Sequence, residues 1–272
     1  MKNQAMTGFA GGGASADLYS QGISDNLKNQ NLSSRLCSVL NFAERLTSES
    51  GIHLPKNAFT LAEVLITLGI IGIVAAMTLP AVINKYQERA TVTKVKKFYS
   101  TMNQAFLMAI GKSGYVEDWE YADGAKCPEG FARNLVPELK IARNCKCGEG
   151  CISTTYSYLN GSNRGMNYDA GIAYYKMVLL DGSYLWFRDS MTRNCNAHDG
   201  GFNNVCGMMW YDLNGPKEPN KYGVDLFVFL IMKDRILPDS FDDCDPGSGK
   251  DYTGWGCSRY ILEHDNMEYY YK

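Results

Sequence analysis

Between Phe59 and Leu79 the chain all but lacks charge. One ionisable side chain, Glu63, stands among 21 residues that are otherwise nearly all apolar. As a helix, that length spans a hydrocarbon core of about 30 Å. A charge inside such a segment costs roughly 2.5–3.5 kcal/mol on insertion scales, so Glu63 calls for a functional reason. The chain also lacks a basic excess, with 27 Lys and Arg against 29 Asp and Glu. Nucleic acid is therefore not expected as the main partner; a local basic patch would be needed to hold it. Histidine is scarce, at three in 272 residues. His53 precedes the apolar segment, and His198 and His264 have no nucleophile or metal motif beside them. A membrane-anchored extracellular enzyme, the reading from another class, would require such a constellation, and no enzymatic motif is present. No apolar core with an A-x-A site precedes Phe59, which excludes an ordinary secretory signal peptide there. No internal repeat occurs.

The nine cysteines are informative by position. Cys37 precedes the apolar segment. Cys127, Cys145, Cys147, Cys151, Cys195, Cys206, Cys244 and Cys257 follow it. An even set confined to one side of a membrane segment reads as a disulfide framework in an oxidising compartment, with connectivity open. Zinc at Cys145, Cys147 and Cys151 is the competing reading, and the oxidising compartment favours disulfides.

Residues 1–58 are rich in Ser, Asn and Gly, and A-G-G-G-A-S-A reads as linker. After Pro80 the apolar pattern turns periodic. Val82, Ile83, Tyr86, Val95, Phe98, Tyr99, Met102, Phe106, Ala109 and Ile110 recur at three- and four-residue spacing, with Lys85, Glu88, Arg89, Lys94, Lys96 and Lys97 between them. This predicts an amphipathic helix with one buried face, ending near Gly111 and Gly114. From Phe59 it would run about 80 Å at 1.5 Å per residue. Pro80 removes one hydrogen bond, so a kink is expected there. Beyond residue 112 the chain reads as β-rich. Runs at Ile172–Leu180 and Ser183–Arg188 flank Asp181-Gly182, a two-residue hairpin signal, and Asn203–Asp212 and Asp225–Met232 are further strands.

The segment A-F-T-L-A-E-V-L-I-T-L-G-I-I-G, Ala58 to Gly72, resembles the processing and assembly signal of type IV pilins and type II secretion pseudopilins. The resemblance implies an α+β pilin fold, with a long N-terminal helix, membrane-spanning in its first half, packed on an antiparallel β-sheet head. It implies cleavage between Ala58 and Phe59 by a prepilin peptidase, followed by methylation of the Phe59 amine. Glu63 becomes the fifth mature residue, and Pro80 falls where many pilins carry proline. When subunits pack, the Glu63 carboxylate of one neutralises the Phe59 amine of another and fixes their offset. Gly69, Gly72, Ala75 and Ala76 permit close helix approach, though small residues are common in membrane helices.

Tyr211 to Phe229, with D-x-N-G, P-N and G-x-D-x-F, resembles a C-terminal loop and strand of pilin-like proteins. In major pseudopilins such a loop binds calcium, for which Asp212, Asn214 and Asp225 offer hard oxygen ligands. The closing glutamate of a calcium loop is missing, and a plain turn capped by these side chains is the favoured reading. Around Cys244, Asp242, Asp243, Asp245 and Asp251 read as a solvated acidic turn before a second calcium loop. Tyr269, Tyr270 and Tyr271 read as core or subunit-contact residues.

The domain organisation expected is a cleaved leader over 1–58, a long helix over 59–111 crossing the membrane to about residue 79, and a head over 112–272. The function expected is a structural subunit of a type IV pilus or type II secretion pseudopilus, and not an enzyme. A DNA-uptake or adhesion pilin is the alternative within the family. The partners implied are other pilin or pseudopilin subunits, prepilin peptidase, an inner-membrane assembly platform and the lipid bilayer. The place implied is the bacterial inner membrane, single-pass, with the head periplasmic or extracellular.

Overall fold

The computed structural model describes residues 60–122, 126–163, 165–189, 193–199, 201–242, 244–245 and 252–271. Phe59 and the expected leader, with Cys37 and Ala58, lie outside them, as do Asp243 and Asp251. The chain divides into two compact units, Met1–Leu68 and Gly69–Lys272. The described part of the first is the opening of helix α1.

Helix α1 runs over Leu61–Ser113 and continues through Pro80. Its residues up to Gln87 are exposed, including Ile70, Ile71, Ile73, Val74, Met77, Leu79 and Val82. From Glu88 onward one face is buried, with Val92, Val95, Phe98, Met102, Ala105, Phe106 and Ala109 at helical spacing. The helix stops two residues after the expected Gly111. Gly114 takes φ +79 and its N–H donates to the Ile110 carbonyl at 2.9 Å, the left-handed closure that glycine permits.

Among the described residues seven antiparallel strands form one sheet. They are β1 (Ile141–Lys146), β2 (Tyr175–Leu179), β3 (Tyr184–Asp189), β4 (Ala197–Asp199), β5 (Phe202–Asp212), β6 (Leu226–Met232) and β7 (Ile236–Pro238). The order is β1-β2-β3-β5-β6-β7, with β4 paired off this path to β5. One face packs on α1 through Leu185, Phe187, Met209, Tyr211, Phe227, Phe229 and Ile231. Phe98 stacks on Tyr211 at 3.8 Å between ring centroids and tilts against Phe229 at 5.3 Å. The other face carries Trp186, Met208, Trp210, Val228 and Leu230 under Tyr156, Tyr168, Tyr174 and Tyr222. Burial on both faces explains why β6 reads as an unbroken apolar run.

Three local features differ from the sequence reading. The β2–β3 hairpin closes through Leu179 N–H to Ser183 O at 2.9 Å, so its loop has three residues, Leu180 to Gly182, and not two. Gly182, at φ +84, takes the left-handed position such a loop needs. Strands β1 and β7 were not legible, since β1 is a polar edge strand with irregular register and β7 is three residues long. Helices α3 (Cys257–His264) and α4 (Glu268–Tyr271) occupy ground read as loop or isolated aromatics. Helix α2 (Glu129–Leu135) was also unread.

The eight cysteines after α1 form four disulfides: Cys127–Cys147, Cys145–Cys151, Cys195–Cys206 and Cys244–Cys257. Cys145, Cys147 and Cys151 are thereby taken up without zinc. The Cys244–Cys257 loop hangs on one carboxylate. Asp242 Oδ2 accepts from Thr253 N–H and Thr253 Oγ1–H, both at 2.8 Å, and from Gly254 N–H at 3.0 Å. Its Oδ1 accepts from Cys244 N–H at 3.2 Å and Gly256 N–H at 3.0 Å. Asp242 is thus an internal lock, whereas Asp245 is exposed. Hydrogen bonds to a charged group contribute about 1.5–3 kcal/mol each, and those sharing one residue are not additive. We expect Asp242→Ala to destabilise the head by roughly 3 kcal/mol in urea unfolding, and Asp242→Asn by less. An Asp242→Ala midpoint equal to that of the parent would refute the lock.

Candidate functional site

The features that bear on function lie along α1 and where its second half meets the head. At the helix start, Thr60 and Glu63 form a reciprocal cap. Thr60 N–H and Thr60 Oγ1–H donate to Glu63 Oε2 at 2.8 and 3.0 Å, and Glu63 N–H donates to Thr60 Oγ1 at 3.2 Å. This is the S/T-x-x-E capping box, which satisfies amides that a helix N-terminus leaves unpaired. The T-L-A-E spacing carries it in the sequence, although the charge anomaly alone draws the eye there. Beyond the cap, α1 presents apolar side chains all round to residue 83. Among the described residues α1 is the one helix long and apolar enough to cross a membrane.

Glu88 marks the change of environment. It is buried, its Oε1 accepts from Met267 N–H at 2.9 Å, and its Oε2 pairs with Lys85 Nζ at 3.2 Å. The Met267 N–H, with help from Lys85, holds the Glu88 carboxyl below its ordinary value against the cost of burial. Lys96 pairs with Asp265, and Tyr269 O–H donates to Gly223 O at 2.6 Å. The C-terminal segment therefore ties α1 to the turn before β6. In the sequence Glu88 is one of several charges between apolar positions. Only its approach to Met267, 179 residues away, sets it apart.

Asp212, Asn214 and Asp225 are brought together at the β5–β6 turn. Asp212 Oδ1 accepts from Asn214 N–H at 3.2 Å and Gly215 N–H at 3.0 Å, and Oδ2 from Tyr156 O–H at 3.0 Å. Asp225 Oδ2 accepts from Asn220 N–H at 2.8 Å and Asn214 Nδ2–H at 3.2 Å, and Oδ1 from Lys221 N–H at 2.6 Å. Asn214 Oδ1 is buried without a partner. Three of the four carboxylate oxygens accept from donors of the turn itself and Asp212 Oδ2 accepts from Tyr156, and among the described residues no three His, Cys, Asp or Glu converge on a metal position. These hydrogen bonds make the set a lock on the turn. His198 Nδ1 pairs with Asn203 Oδ1 at 2.8 Å and His264 Nδ1 with Tyr260 O at 3.1 Å, both exposed.

The apolar half of α1 and the segment before it match a known signal. Residues 55–79 match the model of the prokaryotic N-terminal methylation motif, which supports a type IV pilin or pseudopilin-type signal. Residues 81–268 match the model of a family of unknown function, DUF6613. The chain belongs to that family. Neither a curated protein nor a solved structure matches it. This DUF6613 member thus joins a methylation signal to a disulfide-bonded α+β head, as a pilin-like subunit of the prepilin-processed kind.

Burial pushes the Asp212 carboxyl up to about 7, and the nearby Asp225 adds to the shift. Burial likewise pushes Asp239 up to about 7, with Asp199 and Asp242 adding their charge. Their ordinary value is 3.8. Between about 4 and 7 the folded head holds more protons than the unfolded chain, so stability from these groups falls as pH rises through that window. Below it both states are protonated and the dependence vanishes. We expect a lower melting temperature at pH 8 than at pH 5, and a shallower loss in Asp239→Asn. An identical slope in that variant would remove Asp239 from the account. For the turn lock, the melting temperature should be the same in millimolar calcium and in chelator. A clear rise with calcium would favour the metal reading, because a ligand binding only the folded state stabilises it.

Proposed function

We propose that the chain is a filament subunit, cut between Ala58 and Phe59, methylated on the Phe59 amine and assembled into a type IV pilus or type II secretion pseudopilus. The leader over 1–58 is removed, and the apolar first half of α1 holds the subunit in the bacterial inner membrane until assembly. The disulfide-bonded head lies on the periplasmic or extracellular side, consistent with an oxidising compartment. Prepilin peptidase, an inner-membrane platform and other subunits are the partners this requires.

The observation that carries the reading is the methylation motif over 55–79, placed directly ahead of an apolar helix that continues into a globular head. Glu63 has two tasks in this account. In its own chain it caps α1. In the filament it neutralises the Phe59 amine of a neighbouring subunit, so that neither charge is left unpaired among apolar helices. Pro80 sits between the lipid-facing half and the head-facing half.

Mass spectrometry of the processed protein should find methylated Phe59 at its N-terminus; recovery of residues 1–58 on assembled protein would sink the cleavage. Glu63→Gln keeps an oxygen for the capping box and removes the charge, whereas Glu63→Ala removes both, the cap contributing about 0.5–2 kcal/mol. Both variants should reach the membrane with their disulfides formed, and both should fail to enter filaments. If Glu63→Gln assembles and Glu63→Ala does not, the cap and not the charge is what assembly needs.

A further inference from the structure

We propose that the exposed cations just past the apolar half of α1 form a collar for the anionic headgroups of phospholipid. The proposal rests on the membrane-anchor reading. No ionisable residue occurs from Val64 to Asn84. Those 21 residues make about 30 Å of helix, the thickness of a hydrocarbon core. Lys85 and Tyr86 come next. Tyr86 is 74 % exposed, and a ring with a polar tip at this position belongs to the residue class that settles at a bilayer interface. Arg89, Lys94 and Lys97 follow on the exposed side of α1, while Val92, Val95 and Phe98 face the sheet. None of these three cations takes part in an ion pair among the described residues, whereas Lys96 is held by Asp265 and Lys85 leans on Glu88.

The spacing suits a charged surface. Lys85 to Lys97 covers about 18 Å of helix. The headgroup layer is about 5–8 Å deep on each side, and screening at physiological salt acts over about 8–10 Å. Lys85 and Arg89 reach the layer, and Lys94 and Lys97 stand in the field above it. The rest of the chain gives these cations a reason to be there. From Lys112 to Lys272 there are 23 Asp and Glu against 17 Lys and Arg. A head with that balance is repelled by an anionic membrane, and the collar lies between the two. Cations on the translocated side also oppose the usual excess of Lys and Arg on the cytoplasmic side. Contact with anionic headgroups offsets that opposition.

The test uses the full chain reconstituted in mixed phosphatidylcholine and phosphatidylglycerol bilayers. Spin-labelled forms of each lipid report which one contacts the protein. We expect phosphatidylglycerol to be preferred by roughly fivefold or more, the effect of at least one well-placed cation, and the preference to fall with salt. K85Q/R89Q/K94Q/K97Q should bring the ratio close to one with all four disulfides intact, and K85R/R89K/K94R/K97R should keep it. An unchanged ratio in the glutamine variant, or no preference in the parent, overturns the collar. If the glutamine variant keeps its lipid preference but loses crosslinks between copies, the cations face a second subunit and the lipid proposal falls. A chain that does not enter the bilayer overturns the anchor reading, and the collar with it; an anchored chain without preference overturns the collar alone.

Discussion

Phe98, stacked on Tyr211 and tilted against Phe229, marks the seam on which the head is built. Along that seam Val95, Met102, Phe106 and Ala109 recur at helical spacing against alternate residues of β3, β5 and β6. A sheet this apolar must be covered on both faces, and α1, with the short helices α2 and α3 beside it, covers one. Because α1 also carries the exposed apolar stretch before Glu88, one continuous helix serves two environments. Its side-chain pattern changes from apolar all round to a single stripe where the environment changes.

Among the described residues no helix covers the opposite face of the sheet. Tyr156, Tyr168, Tyr174 and Tyr222 cover Trp186 and Trp210 from loops, and loops bring backbone polar groups that need partners. Three buried or half-buried polar side chains answer that need. Asp169 accepts from the N–H groups of Gly150, Cys151 and Ile152 at 2.6 to 3.0 Å. Lys176 Nζ donates to the carbonyls of Asp169 and Gly171 at 2.5 and 3.1 Å. Asp242 gathers the Cys244–Cys257 loop. The disulfides act in the same region of the problem, limiting the unfolded chain where regular structure is sparse.

The charges along α1 divide by partner. Glu63 is satisfied by its own helix end, Glu88 by the amide of Met267, and Lys96 by Asp265. Acidic residues at the β5–β6 turn look from their spacing like ligands, yet the turn itself supplies most of their donors and Tyr156 another. A short loop with aspartate at its start forms this kind of side-chain-to-backbone lock whether or not a cation is near.

Local chemistry made the apolar helix, its processing motif, the change of period after Pro80, the hairpin at Gly182 and the strands β5 and β6 legible in the sequence alone. Each depends on neighbours a few residues apart, where periodicity and turn chemistry operate. The even set of eight cysteines after α1 was legible too, but its pairing was not, because 105 connectivities satisfy the same count. Strand β1 escaped notice because an edge strand with polar side chains has no period to read, and α3 because a short helix takes its stability from what it packs on. The roles of Glu88, Asp242 and Lys176 were decided by tertiary structure. A buried charge is defined by the groups that surround it, and those groups come from parts of the chain far apart in sequence.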